Sequence, residues 1–224
     1  MTLKEHTVKS YDKDLQSISG TIDEMMHLVV MSIDMVSEMI KHSEDSLIKG
    51  DFLEKIITHD YKINTLDFLI ERKVTTMLAL RQPMAVDLRY IVSALKVSSN
   101  LERVGDQAKS IIKKIDRIGA KAFDPKVKSS MLEMVELSKK MVHDSIVAFN
   151  DQDFRLAEEV LTRDDQIDKI YSGLFMILES DSFSKSQAER IINILFIAKS
   201  FERLADHSTN IADIAKYVIT GESK

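Results

Sequence analysis

Oxygen-bearing side chains recur at four-residue spacing along this chain: Asp60 with Asn64, Glu102 with Asp106, Asp164 with Asp168, and Glu202 with Asp206. On a helix, residues i and i+4 share a face, and two carboxylates placed so repel each other mildly. Oxygen-rich clusters of this kind suit hard or borderline cations such as Mg²⁺, Ca²⁺, Mn²⁺ and iron. The competing chemistry is ion pairing, because Arg103 and Arg203 directly follow the two glutamates and could neutralise carboxylates on a neighbouring helix. In a chain with 30% charged residues a single acidic pair is ordinarily a solvated face, so the repetition carries the argument.

Other chemistries find little support. The chain has no cysteine, which excludes disulfides, zinc ribbons and thiol catalysis. Glu24 and His27 form one E-x-x-H pair, but a carboxylate-bridged di-iron bundle needs two, with further glutamates. His59 and His207 adjoin Asp60 and Asp206, yet adjacent helical residues point different ways. No glycine-rich phosphate loop, nucleophile elbow or paired acid/base motif is present, and the expected protein is not an enzyme. A formal charge of −5 argues against a dedicated nucleic-acid binder. The N-terminus lacks an apolar leader core and apolar runs are short, so a cytoplasmic location is expected, with membrane contact only through partners.

Positioning the carboxylates falls to helices. Six glycines and two prolines are few for 224 residues, and no segment alternates as a strand does. From about Tyr11 to Ile48 apolar residues return every three or four positions. Gly50 then reads as a helix end, with Asp51 and Glu54 opening a second helix that runs to about Leu80. "RQPMAVD" breaks the pattern before a third helix, Met84 to about Arg117, closed by Gly119. Asp124 and Pro125 read as N-cap and first residue of a fourth helix. A fifth covers about Asp153 to Leu178, and a sixth follows "ESDSFSKS" and stops near Gly221.

The halves resemble each other. "ITHDYKIN" (57–64) aligns with "LTRDDQID" (161–168), and "LERVGDQAKSI" (101–111) with "FERLADHSTNI" (201–211). The predicted fold is all-α: six long helices forming two tandem, pseudo-symmetric three-helix bundles, residues 1–118 and 119–224. If the second and third helices form a hairpin turning near Gln82, Asp60 and Asp106 both lie about 33 Å from the turn, at 1.5 Å per residue. Asp164 and Glu202 fall about 26 Å from the second turn by the same count. Each repeat can thus gather its carboxylates at one level. Gly105 and Ala205 occupy matched positions where a small side chain would let helices approach closely, and the twelve methionines read as core filler.

"QPMAVDLRYIVSALKVSSNLERVGDQAKSI" (82–111), echoed by "IINILFIAKSFERLADHSTNIADIAKYVITGE" (191–222), resembles the two signature helices of the PhoU family of phosphate-uptake regulators. The resemblance covers essentially the whole chain and rests on D-L-R followed by E-R-x-x-D. It implies metal ions, iron or zinc by family and Mg, Mn or Ca by donor chemistry, on Glu102 with Asp106, Asp164 with Asp168, Glu202 with Asp206, and Asp60 with Asn64. The last pair departs from the pattern, since an amide is a neutral, weaker ligand. The resemblance further implies a homodimeric negative regulator that links a phosphate ABC transporter to a sensor histidine kinase and keeps the phosphate-starvation response off. The alternatives are an accessory protein of a different transporter, or a carboxylate metal store.

Overall fold

The computed structural model describes residues 3–43, 45–118, 123–179 and 185–222. They form α1 (Leu3–Lys41), α2 (Ser46–Arg81), α3 (Ala85–Ile118), α4 (Pro125–Asn150), α5 (Phe154–Glu179) and α6 (Lys185–Thr220), with no strand among the described residues. The all-α expectation of two tandem three-helix bundles holds. Gly119 and most of "ESDSFSKS" lie outside the described residues.

Two boundaries differ from the sequence reading. α1 begins at Leu3 and ends at Lys41, and the break falls at His42 and Ser43, where the Asp45 amide donates to the His42 carbonyl. Gly50 and Asp51 therefore lie inside α2. Asp51 pairs with Lys55 one turn on, 2.6 Å away, so the D-x-x-E pattern is an exposed helix face rather than a helix start. The other stops are where the residues put them. Gln82 takes φ 49 between α2 and α3. The Asp124 side chain accepts from the Lys126 and Val127 amides at the head of α4. Gly221, at φ 76, closes α6 in the left-handed region that glycine adopts without strain.

α2, α3, α6 and α5 lie side by side in that order, and α1 and α4 pack behind them: α1 touches α2, α3 and α4, while α4 touches α1, α5 and α6. The apolar stripe of α1, with Ile22, Met25, Val29 and Ile33 fully buried, faces the interior, each isoleucine contributing about 1.5–3 kcal/mol. Where α1, α3 and α4 meet, the Tyr90 and Phe149 rings stack at 4.7 Å. The Tyr90 hydroxyl donates to Asn150 Oδ1 and Asn150 Nδ2 donates to Asp23 Oδ1, which gives that seam a fixed register.

The D-L-R triplet does structural work. Asp87 accepts from the Tyr11 hydroxyl of α1 at 2.9 Å, and Arg89 Nε donates to the Val218 carbonyl at the end of α6. Gly105 is a packing position: a Cβ there would lie 2.9 Å from Ile63 Cδ1 of α2, within reach also of Val29 of α1. Its absence lets α2 and α3 approach closely and fixes the carboxylates on them at one level. Among the described residues no helix is long and apolar enough to cross a membrane.

Candidate metal centre

Close packing of α2 on α3 brings Asp60 and Asp106 together, but a side chain already stands between them. Lys109 Nζ donates to Asp60 Oδ1 at 2.5 Å and to Asp106 Oδ1 at 2.8 Å. It is held well inside the groove, 22% exposed against 20% for Asp60. Glu102 lies against Asp106, and its carboxyl is pushed up from the ordinary range, first by burial and then by that neighbouring charge. Asn64 is exposed on the outer face of α2 and makes no hydrogen bond with the trio among the described residues.

The second repeat arranges matched residues differently. Asp164 on α5 is pushed up to about 6, chiefly by burial and then by the charges of Asp168, Asp206, Asp165 and Glu202. Its Oδ1 is buried without a hydrogen-bond partner. Asp206 is raised as well, by burial and by Glu202. Lys199 pairs with Glu202 within α6, from an exposed position at the rim. The residue matched to Lys109 is Thr209, whose hydroxyl turns back to the Asp206 carbonyl. Among the described residues no ammonium or guanidinium bonds both Asp164 and Asp206; Lys199 acts on Asp206 through its charge and lies over the Tyr171 ring of α5 at 5.9 Å.

The predicted neutralising arginines do not act on these clusters as expected. Arg103 reaches only its neighbour Glu102, at 3.5 Å, and Arg203 makes no ion pair among the described residues. Lysines one turn away, Lys109 after Asp106 and Lys199 before Glu202, take that role, and the E-R dipeptide gives no sign of them. The histidines turn elsewhere. His59 Nδ1 meets the Ser32 hydroxyl of α1, and His207 Nδ1 meets Asn100 Oδ1 of α3. His27 bonds the Asp23 carbonyl within its own helix, so Glu24 and His27 form no site.

Among the described residues no three acidic or histidine side chains converge tightly enough to enclose an ion in this conformation. The second-repeat donors nevertheless fit a divalent cation: four carboxylates on two facing helices, one with a buried and unpartnered oxygen. The first-repeat donors fit one poorly, because an ammonium occupies the gap and one of the four positions is a neutral amide, as exposed as its counterpart Asp168.

Two matched helix triplets with carboxylates facing across the outer hairpins define a class of tandem-repeat helical bundle proteins. The PhoU domain profile matches residues 21–115 and again 131–215, and the chain belongs to the PhoU family. It is 34% identical over 226 residues, 98% of this chain and 94% of the relative, to the phosphate-specific transport system accessory protein PhoU homolog of Caulobacter vibrioides. A homolog of the same description from Aquifex aeolicus is 34% identical over 94% of this chain and 93% of its own length. The fold matches the crystal structure of PhoU from Pseudomonas aeruginosa with a TM-score of 0.83 at 25% identity, covering 95% of this chain and 100% of that one. It matches the phosphate transport system regulatory protein PhoU from Streptococcus pneumoniae at 0.84 and 26%, over 96% and 99% of the two chains.

Proposed function

We propose that this protein is a non-enzymatic accessory regulator of a phosphate-specific transport system, holding the phosphate-starvation response off when phosphate is plentiful by coupling the transporter to a sensor histidine kinase. The observation that carries this reading is similarity along nearly the whole chain to accessory proteins of that description. The protein would act as a cytoplasmic homodimer of two-repeat chains, residues 1–118 and 119–224, reaching the membrane through its partners.

Asp164, Asp168, Glu202 and Asp206 would hold an ion, iron or zinc by family and Mg²⁺, Mn²⁺ or Ca²⁺ by donor type. When bound, the ion supplies positive charge that cancels the repulsion now expressed in the raised Asp164 and Asp206 carboxyls. Asp164 and Asp168 fix the α5 side of the groove and Glu202 and Asp206 the α6 side, so charge neutralisation ties the hairpin together.

The test is gene deletion in the source organism with a starvation-response reporter, combined with capture of the tagged protein from detergent-solubilised membranes. Constitutive reporter output in high phosphate, with transporter subunits and a sensor kinase among the captured proteins, is expected. Unchanged output and capture of neither would overturn the reading.

A further inference from the structure

The two repeats differ at the point where an ion would bridge their helices. In the first, one ammonium contacts a carboxylate oxygen of α2 at 2.5 Å and one of α3 at 2.8 Å. Carboxylate oxygens drawn from both helices to one cation are what a bound Ca²⁺ would also gather, at about 2.3–2.6 Å. In the second repeat no ammonium bonds both matched aspartates, Asp164 and Asp206, among the described residues: Lys199 pairs with Glu202 of its own helix and lies over the Tyr171 ring of α5, and position 209 is a threonine whose hydroxyl turns back to the Asp206 carbonyl.

From this contrast we infer that Lys109 is a resident cation, a covalently attached substitute for a metal ion, so that the α2–α3 hairpin is permanently neutralised and ion binding is confined to the α5–α6 hairpin. Asn64, where the second repeat has Asp168, fits the same division, because a groove that has its own cation gains nothing from a fourth carboxylate. The consequence is regulatory. The first repeat keeps one charge state whatever the metal supply, while the second changes charge when an ion enters, which makes one half of the molecule a fixed reference and the other the responsive half. The inference rests on the ion-site reading of the second repeat only for that contrast; the claim about Lys109 stands on its own contacts.

Lys109→Thr installs the residue that the second repeat carries. Chelator-stripped protein is loaded separately with Zn²⁺ and Mn²⁺, desalted, and assayed for bound metal by mass spectrometry and for metal-dependent thermal stabilisation. Three backgrounds are compared: wild type, Asp164→Asn/Asp206→Asn, and that pair with Lys109→Thr. The double variant is expected to hold no ion. Adding Lys109→Thr is expected to restore about one ion per chain, lost again with Asp60→Asn. Lys109→Arg keeps the charge and should stay ion-free, and Lys109→Gln repeats the test with a longer side chain if the threonine variant does not fold. An ion retained by the double variant and removed by Asp60→Asn would overturn the inference, as would folded threonine and glutamine variants that gain none. If wild type holds no ion while Lys109→Thr gains one, the second-repeat reading falls and the role of Lys109 stands.

Discussion

Asp164 offers a quantitative check on the electrostatics of the second repeat. Its carboxyl lies at about 6 in the folded chain, raised by burial and by surrounding carboxylates, against about 3.9 for an aspartate in an unfolded chain. The folded protein therefore keeps this proton over a range in which the unfolded chain has released it. Stability from this group is highest below about pH 4, falls as pH rises through the interval to about 6, and stays at its lower level above. A displacement of roughly two pH units corresponds to at most about 3 kcal/mol at 1.36 kcal/mol per unit. Asp164 is half-buried, and solvent screening reduces that limit to about 1 kcal/mol.

Asp164→Asn removes the charge and keeps the shape. In chelator it is expected to stabilise the protein by about 1 kcal/mol at pH 7, or about 2–4 °C in Tm for a chain of this size, and to leave it unchanged near pH 4. Thermal melts of wild type and variant from pH 4 to 8 measure this directly. With Zn²⁺ or Mn²⁺ added, wild type should gain stability and the variant should gain much less. A variant destabilised equally at pH 4 and pH 7 would refute the reasoning, since it would mean that the Asp164 carboxylate makes a favourable contact instead of suffering repulsion.

Two packing predictions test the frame that holds these side chains. Gly105→Val places branched atoms where even a Cβ would meet Ile63 at 2.9 Å, and should cost about 1–3 kcal/mol in urea unfolding despite valine's better helix propensity. Tyr90→Phe keeps the stack on Phe149 but removes the hydroxyl that donates to Asn150, for an expected loss of about 1 kcal/mol by the same assay.

Much of this architecture is legible in the residues because helix stops are local chemistry. Asp124 before Pro125, Pro83 after Gln82, and Gly221 after Thr220 each act within one turn, and each ends a helix or begins one where expected. The α1 end is the exception. The turn at His42 and Ser43 has neither glycine nor proline, while Gly50 sits inside a long helix that absorbs a cost of about 1 kcal/mol. The level placement of the carboxylates was readable from residue counts. Which cation meets them was not, because a lysine at i+3 from Asp106 looks like any solvated side chain until α2 brings Asp60 to its other side.

The distribution of lysines makes the duplicated halves unequal in a way that the carboxylates do not. Lys109 joins two helices, since its ammonium binds a carboxylate on each, and removing it would leave Asp60, Glu102 and Asp106 facing one another. Lys199 pairs with Glu202 within α6, lies over the Tyr171 ring of α5 at 5.9 Å, and is 42% exposed, so it meets α5 through an aromatic face and bonds no α5 carboxylate. Further neutralisation of the second cluster would come from protons or, as proposed, from an added cation. Protons serve only below about pH 6, given where Asp164 titrates. At neutral pH an ion bound as proposed would neutralise carboxylates on both helices at once, and the response to ionic surroundings would then lie on α5 and α6.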